Sequence, residues 1–238
     1  MKEPGEPKFD DLTPDEIKRK ERMETKLYLA RDIDGEPNSE ELQAIRQLEQ
    51  ELSSREDFIG IAPYGSVVAG YNTDNSDLDL IILYDNSQES RGKIPKIEYG
   101  LKQICEMIGK ANNIEISPDL VGIDLEAVLS DIKRSFSGDK MNIFPRRALI
   151  SLSRLAIGNK VDDYRRIIAE ELHKLTKDQQ EEVIADLVYA LHFIDSASGL
   201  KRSSKMRRMW IHEHDEIIEK RKELWERRVR KIWGIEKE

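Results

Sequence analysis

The chain has 238 residues, 38% of them hydrophobic and 36% charged, with a net charge of −8. That suits one large domain or two small ones, with a modest core under a heavily charged surface. No apolar stretch is long enough to cross a bilayer and no basic start precedes an apolar run, so neither a membrane anchor nor a secretion signal is expected; the single cysteine, Cys105, excludes an intramolecular disulfide and fits a reducing, cytoplasmic setting.

Residues 1–37 read as a peripheral charged segment. Thr13-Pro14-Asp15-Glu16 predicts a helix start, with Thr13 as cap, Pro14 in the first turn and Glu16 closing a capping box. This helix runs to about Ala30, and residues 31–37 form a turn-rich link. A second helix opens near Asn38–Ser39, where Leu42, Ile45, Leu48 and Leu52 recur at helical spacing. Asp57–Pro63 is short and β-like, and Leu78–Tyr84 (LDLIILY) is a strand, apolar on both faces as in a covered sheet. Ile94–Lys110 is an amphipathic helix through Ile97, Leu101, Ile104 and Ile108; Leu120–Asp124 is a short strand and Leu125–Phe136 a helix.

From Pro145 onward only helices are expected. Arg146–Ile157 stops at Gly158-Asn159, and Asp162–Leu175 follows. A capping box at Thr176–Gln179 introduces Gln180–Ala197, and a charged helix covers about Lys205–Trp233. The expected class is α+β, a small mixed sheet with helices over residues 38–140 and an all-helical domain over residues 141–238.

The chemistry concentrates in residues 62–85, APYGSVVAGYNTDNSDLDLIILYD. Glycine at 65 lets a backbone approach a ligand closely, and Ser66, opening a short turn or helix, offers an amide and a hydroxyl to a phosphate. Asp77 and Asp79 lie two apart on a strand and so point to one face. Paired carboxylates at the head of an apolar run are costly without a cation, and Mg²⁺ takes one or two carboxylates together with substrate phosphates.

Gly-Ser, ten residues, then Asp-Leu-Asp between apolar positions resembles the DNA polymerase β-like nucleotidyltransferase superfamily, above all its minimal and aminoglycoside-type members. Gly65 and Ser66 match its phosphate-binding pair, Gly70 its following glycine, and residues 76–80 (SDLDL) its metal-binding strand. The resemblance implies a nucleotidyltransferase domain over residues 38–140. It also implies two Mg²⁺ ions on Asp77 and Asp79, a nucleoside triphosphate donor with ATP expected, and an acceptor hydroxyl on a small molecule, a protein or an RNA. Relatives add a third carboxylate from a later strand. By the resemblance it binds the catalytic metal and helps deprotonate the attacking hydroxyl; Asp124, at the end of the strand LVGID, is the choice here, and Asp119, read as turning the chain after Pro118, is its competitor.

Two other readings compete: a catalytically inactive nucleotide-binding or interaction module on the same fold, and a glycosyltransferase using Asp77-Leu78-Asp79 for a sugar nucleotide. The second lacks a use for Gly65-Ser66. His212 and His214 are two apart on a helix and face different ways, His192 lies in an apolar helix, and Cys105 sits in an apolar stripe, so none is read as a metal ligand or nucleophile. Residues 201–238 hold thirteen Lys and Arg against eight Asp and Glu. The plain account is a packing face with a basic back; the sharper one is nucleic-acid contact through phosphates.

Overall fold

Among the described residues three strands build a mixed sheet in the order β1-β2-β3. β1 (Phe58–Pro63) runs antiparallel to β2 (Leu78–Asp85), and β2 runs parallel to β3 (Ile116–Ile123). The structure is a computed structural model that describes residues 14, 39–65, 77–87, 94–136, 144–154, 156–197 and 215–236. The helix expected over 13–30 and the link over 31–37 lie outside the described residues, apart from Pro14. So do Ser66, Gly70 and the rest of 66–76.

The central position of β2 explains its apolar character on both faces. Leu78, Leu80, Ile82 and Tyr84 join Phe58 and Ile61 against α1 (Ser39–Leu52) and the crossover helix α2 (Ile94–Asn112). Ile81 and Leu83 face the other way, with Val121 and Ile123, and pack on α3 (Leu125–Ser135) through Val128 and Ile132. Cys105, on α2, is buried, and burial pushes its thiol up to about 12, which suits an inert core residue.

β3 begins at Ile116, four residues before the expected Leu120, and carries Pro118 opposite Leu80. Proline lacks a donor and is confined in sheets to edges, strand starts and bulges; β3 is an edge of this sheet, so the strand runs through it. Asp119 is therefore a strand residue, paired with Ile81, and not part of a turn.

Beyond α3 the described elements are helices: α4 (Arg146–Leu152), α5 (Val161–Leu172), α6 (Lys177–Ala197) and α7 (Asp215–Trp233). α4 stops short of the expected Ile157 because the chain turns back to the sheet, where Ile61 and Ile157 exchange backbone hydrogen bonds of 2.8 and 2.9 Å. Gly60 and Gly158 permit this approach: a Cβ on Gly158 would lie 2.6 Å from the Gly60 Cα. The expected capping box forms, Thr176 N–H donating to Gln179 Oε1 and Gln179 N–H to Thr176 Oγ1, and α6 begins inside it at Lys177. On α7, Trp225, Val229 and Trp233 are buried, and the Trp233 indole donates to Ser153 Oγ at 2.9 Å.

One apolar core runs from the sheet face through α3 and on to α7. The fold is α+β, with the sheet in the N-terminal part and helices after it. Among the described residues no helix is long and apolar enough to cross a membrane.

Candidate active site

The Tyr64 amide donates to the Asp79 carbonyl at 3.0 Å, fastening the end of β1 to the start of β2. Gly65, the next residue, has φ +72, in the left-handed region. A Cβ on Gly65 would lie 2.1 Å from Asp79 Oδ2. Glycine is thus required twice, by its backbone conformation and by the carboxylate packed against it. Gly65 and Asp79, separated in the chain by the loop, are thus in direct contact in the fold.

Asp77 immediately precedes β2, and Asp79 is its second residue. Asp79 pairs with Ser117 and Ile81 with Asp119, so residues 77, 79 and 81 share a face with 117 and 119. The phenol of Tyr64 registers the same grouping. Burial pushes it up to about 12, the Asp79, Asp119 and Asp77 carboxylates push the same way, and Arg154 opposes them.

Asp124 is not brought to this group. It is the N-cap of α3, its Oδ1 accepting from the Ala127 amide at 3.1 Å. It follows Ile123, which pairs with Asp85, six residues beyond Asp79. At about 3.3 Å per strand residue that separation is roughly 20 Å. Its charge, with that of Asp85, acts on Tyr164 instead. By the strand's register it is Asp119, and not Asp124, that lies on the face of Asp79.

Cations stand opposite these carboxylates. Arg147 Nη2 donates to Asp119 Oδ1 at 2.7 Å and to the Leu120 carbonyl at 3.3 Å. Arg154 is 2% exposed, with its guanidinium 5.6 Å from the centre of the Tyr64 ring. Arg146 pairs with Asp186 of α6 at 3.0 Å. The three arginines, with Tyr64, Ile81 and Asp119, line a cavity of about 510 Å³ between the sheet, α4 and α6. The sequence reading gives these arginines no role. The available signal is Arg154 closing the apolar run ALISLSR, a cation where helical periodicity demands core.

Among the described residues no three His, Cys, Asp or Glu side chains form a metal-holding cluster. The donors on this face are the all-oxygen pair Asp77 and Asp79, with Asp119 beside Arg147. That set fits a hard divalent cation whose shell is completed by substrate phosphates, the usual habit of Mg²⁺, and not a closed protein cage. His173 Nε2 lies 2.9 Å from the Trp233 carbonyl, a contact between α5 and α7, while His212, His214 and the His192 side chain lie outside the described residues.

Residues 45–135 match the family model of the nucleotidyltransferase domain. The match takes in Gly65, Ser66, Asp77, Asp79, Asp119 and Asp124. No curated protein and no solved structure matches the chain.

Proposed function

We propose that this chain, whose residues 45–135 match the family model of the nucleotidyltransferase domain, moves a nucleoside monophosphate from a nucleoside triphosphate, with ATP the expected donor, to an acceptor hydroxyl. The observation that carries the reading is Gly65, at φ +72, packed against the Asp79 carboxylate on the sheet face that also bears Asp77 and Asp119. It joins a backbone that can approach a phosphate to carboxylates that can hold its counter-ion.

In this reading Asp77 and Asp79 hold the divalent cations, two Mg²⁺ by the resemblance. When bound, the metal neutralises phosphate charge and makes a coordinated hydroxyl acidic near neutral pH. Gly65 and Ser66 seat the terminal phosphates. Asp119 takes the proton of the acceptor hydroxyl, and Arg147 fixes its carboxylate in place. Tyr64, held protonated by burial and its acidic neighbours, is a hydrogen-bond donor and not a base. The hydroxyl oxygen bonds to the α-phosphorus, the bond to the oxygen bridging to the β-phosphorus breaks, and pyrophosphate leaves with that electron pair. The buried thiol of Cys105 suits a cytoplasmic enzyme.

The test is transfer of label from α-labelled ATP to fractionated cell extract. Wild-type protein should label an acceptor, and Asp79→Asn or Asp77→Asn should lower that transfer by about a thousandfold or more. Both variants should keep or slightly raise the melting temperature, since each removes a like charge. Triphosphate binding without transfer in any fraction would identify an inactive nucleotide-binding module instead.

A further inference from the structure

The cavity beside Asp119 has a chemical bias that the transfer reaction alone does not require. It opens next to the carboxylate assigned to receive the acceptor's proton, so it is where the rest of an acceptor would lie. Among the described residues its charged lining is Arg146, Arg147 and Arg154 against the carboxylate of Asp119. Its other surfaces are mostly apolar or aromatic, Tyr64 and Ile81 from the sheet side, Ile150 on α4, and Tyr189 and Ala190 on α6, with Ser151, whose hydroxyl donates to the Arg147 carbonyl, beside them. A volume of about 510 Å³ falls within the range of small-molecule sites.

We infer that this cavity receives the acceptor, and that the acceptor is a small molecule bearing an oxyanion, a phosphate or a carboxylate, apart from its reacting hydroxyl. The inference rests on the nucleotidyl-transfer reading. Guanidinium forks match both oxyanions in geometry. Arg146 and Arg147 are 46% and 67% exposed in their side chains, each with one carboxylate partner, so both keep donors directed to solvent that a ligand can take up. Arg154, buried beside the Tyr64 ring, supplies a fixed positive charge at the cavity floor. A polycationic acceptor would meet like charge here at short range, which disfavours it. In the transfer reading the triphosphate lies on the Gly65 side of Asp79, so the arginines are not needed for it.

The experiment is NMR on the full chain with labelled arginine side chains, titrated with phenyl phosphate, benzoate and benzyl alcohol. Saturable shifts at the three arginines with either anion, and none with the neutral alcohol, are expected, and the anion that binds more tightly names the oxyanion. The Arg146→Gln/Arg147→Gln double variant, at exposed positions that should fold, is expected to weaken that binding by about tenfold or more. Adding Mg²⁺ with a triphosphate whose α,β-bridge is methylene should leave the anion bound. No saturation by either anion up to about 10 mM, a free energy too small for a built site, overturns the inference. Displacement of the anion by the triphosphate also overturns it, since the cavity would then belong to the donor. Anion binding with no triphosphate binding at all removes the premise, and so separates failure of the transfer reading from failure of the pocket.

Discussion

Each end of the sheet holds a partly buried tyrosine flanked by carboxylates. At one end Tyr64 sits with Asp79, Asp119 and Asp77; at the other, Tyr164 sits with Asp85 and Asp124. Burial pushes both phenols up to about 12, and the acidic neighbours add to it at both. The partners of the carboxylates differ. Asp124 caps α3, and Asp85 accepts from the amide and hydroxyl of Ser87, so that pair is spent on the chain's own donors. Asp119 is held by an arginine, and Asp79 lies against a glycine in the left-handed region. Two similar gatherings of acidic residues near a tyrosine thus differ in kind: one set is matched to a cation and to bare backbone, the other to local caps.

The contrast breaks most sharply on turnover. Asp119→Asn should reduce nucleotidyl transfer by about a hundredfold while sparing most triphosphate binding, the expected cost of losing a positioned proton acceptor. A fully active Asp119→Asn enzyme would end the assignment. Asp124→Ala should leave turnover unchanged and cost about 1 kcal/mol as a lost N-cap, lowering the melting temperature by about 2–4 °C. Lost activity in a folded Asp124→Ala protein would reverse the roles of the two ends.

The smallest effect is on the phenols. The folded protein favours neutral Tyr64, so its stabilising contribution is complete below the ordinary tyrosine value of about 10 and lost as pH rises through about 12. Asp79→Asn should lower the Tyr64 midpoint, Asp119→Asn should lower it less, and Asp124→Ala should leave it alone while lowering Tyr164. Ring-carbon NMR of labelled tyrosines reads all three without any substrate. Movement of Tyr64 in the Asp124 variant would contradict the separation of the two ends.

Much of this was open to the sequence because local physics wrote it there. The doubly apolar run LDLIILY is what a strand covered on both faces must be, and Gly65 with Asp79 is a backbone requirement that leaves a glycine behind. Asp119 was hidden by its neighbour. Proline before it reads as a turn unless one knows that β3 is an edge strand, and edge position is a property of the assembled sheet. The cap role of Asp124 was hidden for the converse reason, since a carboxylate ending a strand and opening a helix looks alike as ligand or as cap. The arginines of α4 and Arg154 gain meaning only when tertiary packing lays them over the sheet face, which no helical period foretells.

The return of residues 156–158 to β1 has a mechanical consequence. The segment bearing the arginines is anchored twice, at its start by Arg147 on Asp119 of β3, and just past its end by the backbone exchange between Ile157 and Ile61. The two anchors fall on opposite edges of the sheet, so this segment spans the sheet like a beam pinned at both supports. Such a beam resists the hinge rotation by which two-part enzymes often close on a ligand. Adaptation to a ligand is then left to side-chain rotation of Arg146 and Tyr189, and the width of the cleft becomes a fixed property of the backbone, a ruler set before any charge is consulted.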